Sequence, residues 1–153
     1  MYKYERSFFF PAPADVVFKY HACMDNIAQI LPKHLSIKNL GTLCDVKMRD
    51  KIKLKISMYV FSFYWEAEII EYKPFDHFID LLNKGPFSYW KHYHFFESKD
   101  NGTMLTDRIE YDLPLGVIGK FANYVFVRKE LEKIFSRRHE SALIFFNKIK
   151  QIP

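Results

Sequence analysis

His92 and His94 stand two apart in Trp90-x-His92-x-His94-x-Phe96, so on a strand both imidazoles point to one face about 7 Å apart. Asp107 falls on the strand that follows and shares that face if the two strands form a hairpin. Four readings of this trio stay open. Two imidazoles and a carboxylate suit zinc or iron. A histidine held by Asp107 is a general base for a cyclisation or dehydration, because an imidazole with a pKa near ~6.5 is poised for proton transfer. The trio could fix the polar end of a ligand whose body lies among Trp65, Trp90 and Phe96. It could equally be a hydrogen-bonded network that only fixes the sheet. Bulky aromatics flank the two histidines and no fourth ligand is evident, so no metal and no other cofactor is expected.

Asp80 and Arg138 are a second constellation. An inward carboxylate needs a partner and the planar guanidinium is a good one, so the two form a buried pair or else Arg138 lies on the wet flank of a helix. Lys47, Lys51, Lys53 and Lys55 alternate along one stretch, but Glu66 and Glu68 follow nearby and no aromatics interleave, which makes a solvated sheet face and not a phosphate or nucleic-acid site. No phosphate-cradling glycine loop or serine nucleophile elbow occurs.

These side chains need elements to hold them. Tyr2 to Phe10 reads as a strand, stopped by Pro11 and Pro13, which open a helix to His21. Asp25 or Asn26 caps a second short helix that Pro32 ends. From Asp45 to Ile56 the chain alternates, with Val46, Met48, Ile52, Leu54 and Ile56 facing inward. In the next strand Phe61, Phe63, Trp65, Ala67 and Ile69 face in, opposite Glu66 and Glu68. Phe75 to Leu82 forms a further strand, and Gly85-Pro86 breaks it. Phe87 to Glu97 turns Trp90, His92, His94 and Phe96 inward. Asn101-Gly102 makes a two-residue hairpin turn into Thr103 to Tyr111, whose Leu105, Asp107, Ile109 and Tyr111 face in. From about 116 to 149, Ile118, Phe121, Ala122, Val125, Leu131, Ile134, Phe135, Ala142, Phe145 and Ile149 recur at threes and fours, predicting one helix of roughly 45 Å.

One strand, two short helices, a run of antiparallel strands and one long amphipathic helix admit few compact solutions. The fold class is α+β, a helix-grip fold in which a curved antiparallel sheet wraps a long C-terminal helix, and residues 1–153 form a single domain. Phe 16 and Tyr 10 in an apolar fraction of 49% supply a sizeable core. Cys23 and Cys44 lack ligand spacing and read as plain thiols of a reducing compartment. With no signal-peptide pattern at the N-terminus and no apolar run near the roughly 20 residues of a membrane span, a cytoplasmic protein is expected. The net charge of +5 permits attraction to anionic surfaces but lacks the clustering of nucleic-acid domains.

The stretch Phe78 to Arg138 resembles the START-like (SRPBCC, polyketide cyclase/dehydrase and lipid-transfer) superfamily, in particular its cell-division-inhibitor-like branch. The resemblance is carried by Phe78-x-Asp80, Gly85-Pro86-Phe87, Trp90-x-His92-x-His94-x-Phe96, Gly102-Thr103, Asp107, Tyr111-x-Leu113-Pro114-x-Gly116, Gly119 and Ile134-Phe135-x-x-Arg138. Leu81-Leu82 stands where relatives often carry Glu-Gln, and Arg137 where a tyrosine commonly precedes the arginine. The resemblance implies a helix-grip fold with an internal cavity, while that branch has no settled activity to carry over.

The leading expectation is therefore a module that binds an apolar small molecule such as a lipid, isoprenoid or polyketide-like compound. Its ligand-binding residues would be Trp65, Asp80, Trp90, His92, His94, Asp107, Tyr111 and Arg138. The alternatives are a cyclase or dehydratase using His92 or His94 with Asp107, and a subunit that only meets a protein partner.

Overall fold

The computed structural model describes residues 1–23, 26, 32, 34–39, 44 and 46–149. The element order is β1 (Tyr2–Phe10), α1 (Ala14–His21), β2 (Leu35–Asn39), β3 (Lys51–Met58), β4 (Phe61–Lys73), β5 (His77–Lys84), β6 (Tyr89–Lys99), β7 (Gly102–Asp112), α2 (Gly116–Ala122), a π-helical turn (Asn123–Val127) and α3 (Arg128–Ile149). All strands join one antiparallel sheet in the order β1-β7-β6-β5-β4-β3-β2. Every partner except the β1–β7 pair is a chain neighbour, so the sheet is a meander whose last strand returns to its first. Register shifts between Glu66 and Ala67 and between Ile69 and Glu71 mark irregularities where β4 meets β5; such bulges bend and twist a sheet. The result is the expected helix-grip architecture, a curled sheet around a long C-terminal helix.

Alternation decides what faces inward. Trp90, His92, His94 and Phe96 on β6 and Leu105, Asp107, Ile109 and Tyr111 on β7 are all buried. Lys51 and Lys53 lie opposite Glu68 and Glu66 on the outer face. The inner face receives α3 through Phe135, whose ring meets Tyr4 at 5.4 Å and His92 at 5.6 Å. Pro13 stands at the N-cap of α1, and that helix closes one end of the curl. Its Phe18 packs edge-on against Tyr72, Phe75 and Phe78.

Several expectations need correction. Residues 46–50 form a turn, with the Lys47 amide donating to Asp50 at 2.7 Å and Arg49 at φ 71°, so the lysine strand starts at Lys51. Leu35–Asn39 is a strand paired with β3, an element the sequence reading lacked. The second short helix falls mostly outside the described residues. Phe61 is exposed, because it sits at the tip of the β3–β4 hairpin beyond the helix's cover. The hairpin loop between β6 and β7 is Asp100-Asn101, with Lys99 paired to Gly102.

The helix also departs from its expected face. Ile118, Phe121, Val125 and Phe145 are exposed, whereas Gly119 and Asn123 are buried. Gly119 packs so closely that a Cβ would lie 2.4 Å from the Pro114 carbonyl, and the Tyr111 hydroxyl donates to Asn123 Oδ1 at 2.6 Å. These two contacts set the face of α2, and the π turn then shifts the helical phase before α3. Cys23 and Cys44 are joined in a disulfide and are not free thiols.

Candidate functional site

Strand register brings the polar residues together. Asp80 on β5 lies opposite His92 on β6, and His94 lies opposite Asp107 on β7. Backbone spacing would part the imidazoles, but both lean toward shared carboxylates and their ring centroids are 3.8 Å apart. His92 Nε2 donates to Asp107 Oδ1 at 3.2 Å. His94 Nδ1 is 2.7 Å from the same oxygen but off the line of a hydrogen bond. Asp80 Oδ2 lies 3.4 Å from His94 Nε2 and 3.7 Å from His92 Nδ1. From α3, Arg138 Nη1 stands 3.9 Å from Asp107 Oδ1. The guanidinium thus faces Asp107, not Asp80 as expected, and it is buried, which rules out the wet flank.

The charge states follow from these contacts. Burial by itself would raise the Asp107 carboxyl, but the Arg138 charge and the two imidazoles outweigh it and hold Asp107 well below the usual carboxylate range. An ionised Asp107 accepts only, so His92 must carry its proton on Nε2. Burial, then the neighbouring His94, pushes His92 down; it stays neutral at pH 7. One ligand atom each from Asp80, His92 and His94 lies within 4.8 Å of the others, so this trio offers three donors to a small cation.

Beside this cluster lies a cavity of about 330 Å³ between α3 and the sheet. Ile37, Ile56, Trp65 and Trp90 line the sheet side, and Phe126, Val127, Leu131, Ile134 and Phe135 the helix side. Trp65 stands edge-on to Trp90 at 5.1 Å, and Phe87 closes on Trp90 at 4.8 Å. Among the described residues, two charged ones reach this space, Arg138 and Glu130. Arg138 Nε and Nη2 are buried with no hydrogen-bond partner among the described residues. Glu130 Oε2 accepts from His34 at 2.7 Å and Oε1 from Lys133 at 2.8 Å. Burial opposes its ionisation, but these two bonds outweigh that and lower its pKa.

Of the eight residues singled out from the sequence, Trp65, Trp90 and Arg138 line the cavity. Asp80, His92, His94 and Asp107 lie beside it as the buried cluster, with Arg138 as the link between the two. Tyr111 holds Asn123 and packs on Phe87 at 5.8 Å. The sequence reading missed Leu35, Ile37, Phe126, Val127 and Glu130. Leu35-x-Ile37 is a short alternation, and Val127, Leu131, Ile134 and Arg138 repeat at threes and fours, a signal that would have marked the cavity face of α3.

Fold and site together define a helix-grip domain with a cavity between sheet and helix. The chain belongs to the family described as polyketide cyclase / dehydrase and lipid transport, whose model matches residues 10–134. Among solved structures, a protein from Thermus thermophilus superposes with a TM-score of 0.73 at 15% identity, covering 94% of this chain and 98% of that one. Ginseng major latex-like protein 151 from Panax ginseng gives 0.69 at 11% identity, covering 95% and 97%. The di-domain ARO/CYC protein StfQ from the steffimycin biosynthetic pathway gives 0.71 at 12%, covering 98% of this chain and 52% of that one. At these identities the likeness is one of fold. A comparison with curated proteins finds no match.

Proposed function

We propose that this domain binds a small, largely apolar molecule, of the lipid, isoprenoid or polyketide-like kind, in the cavity between α3 and the sheet. The observation that carries the reading is Arg138, a buried guanidinium at an aromatic and aliphatic cavity, whose Nε and Nη2 have no hydrogen-bond partner among the described residues. Buried donors without acceptors are costly, and a ligand oxygen is the group that would satisfy them. Apolar walls with a few convergent polar groups are the usual chemistry of small-molecule sites, and the volume is at the lower end of their range. In this reading His92, His94, Asp80 and Asp107 act through Arg138, holding its charge in place.

The test is binding of an apolar fluorescent probe. Leu131→Trp, which fills the space, should abolish binding while leaving the fold intact. Arg138→Lys keeps a counter-charge for Asp107 but gives up the planar fork. It should weaken carbonyl- or carboxylate-headed ligands about 10- to 100-fold, the scale of a charge-assisted hydrogen bond, and plain hydrocarbons little. Equal loss for both would remove Arg138 as the anchor, and undiminished probe binding by Leu131→Trp would remove the cavity as the site.

Three further parts of the reading are proposals as well. They are the cell-division-inhibitor-like branch, the absence of a metal at Asp80, His92 and His94, and a cytoplasmic location. A family tree that seats the chain elsewhere would overturn the first. Stoichiometric zinc or iron lost on His92→Ala would overturn the second. The Cys23–Cys44 pair supplies the test of the third: disulfides are rare in reducing compartments, so a bond that persists in protein taken from its own cells would overturn it.

A further inference from the structure

The end of the molecule beside the cavity carries an exposed apolar surface. Leu115 at the N-cap of α2, and Val117, Ile118, Phe121, Tyr124 and Val125 on α2 and the π turn, all lie exposed, Val117 at 79% and Tyr124 at 83%. At the β3–β4 hairpin tip Tyr59, Val60 and Phe61 do the same, with Val60 at 88%. Tyr59 and Phe126 bring the two elements within 6.4 Å of each other. Phe126 also lines the cavity, so the patch is continuous with the rim of that space. Exposed apolar area on this scale marks an interaction site.

Charge says what the surface meets. Between residues 113 and 129 the charged side chains are Lys120, Arg128 and Lys129, with no carboxylate in the stretch. None of the three has an ion-pair partner among the described residues. They border a groove of about 460 Å³ with Tyr2, Asn123, Tyr124 and Glu132. Glu132 is taken by hydrogen bonds from Tyr4 and Arg6. A protein interface needs about one hydrogen bond per 100–200 Å² and acceptors as well as donors to make them; this face is rich in donors, the cations Lys120, Arg128 and Lys129 beside the Tyr59 and Tyr124 hydroxyls, while Asn123 is buried with its oxygen already bonded to Tyr111 and Glu132 is taken. A lipid surface asks for something else. Aliphatic and aromatic side chains enter the acyl boundary, tyrosines sit at headgroup depth, and lysine and arginine meet anionic phosphates. Phe121 and Val117 with Tyr124, Tyr59, Lys120, Arg128 and Lys129 have that composition, and the net charge of +5 adds long-range attraction.

We propose that this face, made of α2, the π turn and the β3–β4 hairpin tip, docks on an anionic phospholipid surface and sets the rim of the cavity against the bilayer. The docking is independent of what the cavity holds, so its failure leaves the ligand-binding reading in place.

The experiment is flotation of the full chain with phosphatidylcholine vesicles and with vesicles containing phosphatidylglycerol. The protein should float with the phosphatidylglycerol vesicles, weakly with the neutral ones, and less as salt rises. Phe121→Asp and Val60→Asp, which do not line the cavity, should each cut binding about 10-fold or more, the scale of one buried large apolar side chain. Lys129→Ala should cut it about fivefold, the scale of one cation at an anionic surface. All three variants should keep the melting temperature and apolar-probe binding of the parent. Absence of flotation, equal binding to neutral vesicles, or parental binding by Phe121→Asp would overturn the proposal. So would a concentration-dependent dimer that Val117→Asp dissolves, because it would give the face to a second copy of this chain.

Discussion

His21 shows how single residues set the pH response of this protein. Its ring is enclosed by Phe10, Tyr20 and Phe146, and its Nδ1 pairs with the Val17 carbonyl oxygen at 2.8 Å. Burial, reinforced by the charge of Arg138, pushes it down to about 3. In the unfolded chain the imidazole returns to ~6.5. Between those values the unfolded chain binds a proton that the native one refuses, so stability falls as pH falls, by up to about 1.4 kcal/mol per pH unit for this group. Above ~6.5 its contribution is constant. His92 and His139 are lowered too, mainly by burial, and steepen the same slope. Denaturant unfolding at a series of pH values should show this loss, and His21→Leu should make the slope shallower while lowering stability at neutral pH. An unchanged slope would contradict the assignment. Sequence spacing was enough to place His92, His94 and Asp107 on one inner face, because side-chain alternation on strands is strict. It could not say that Arg138 faces Asp107, since that depends on the rotation of α3 against the sheet.

At the level of elements, the contacts between strands and helices decide the details. Gly102 starts β7 directly beneath the end of β1, where a Cβ would lie 2.1 Å from the Phe10 carbonyl oxygen. That oxygen belongs to the backbone and cannot swing away. Gly102→Ala should therefore cost about 1–3 kcal/mol, read as a fall in Tm of about 2–4 °C per kcal/mol. A variant as stable as the parent would show that the β1–β7 edge can yield. The Asn-Gly dipeptide pointed to this hairpin, though the loop sits one residue earlier than its usual reading because Gly102 is needed in the strand itself. β2 went unseen: five residues with two inward side chains give too short an alternation to stand out. The expected inward face of the C-terminal helix was right from Leu131 to Ala142 and wrong at Ile118, Phe121, Val125 and Phe145. A constant period of 3.6 cannot anticipate a π turn or a face set by Gly119 and Asn123.

For the whole molecule, element order and patterning were sufficient for the fold, because a meander of half-buried strands followed by one long amphipathic helix has few ways to close. The cavity is a property of the assembly. It exists because α3 stands off β2, β3 and the near end of β6, and no single element announces that gap. Among the described residues no helix is long and apolar enough to cross a membrane; the apolar residues of α2 are spread over one outer face and do not form a span. The central claim is that the space of about 330 Å³ above Trp65 and Trp90, with Arg138 beside it, holds an apolar molecule. Native mass spectrometry of protein purified from its own cells, followed by solvent extraction, tests it most directly. The account predicts a mass excess matching one small apolar compound with an oxygen-bearing head, lost in Leu131→Trp and recovered in the extract. A chain that carries no excess mass, and binds no apolar probe when offered one, would contradict it.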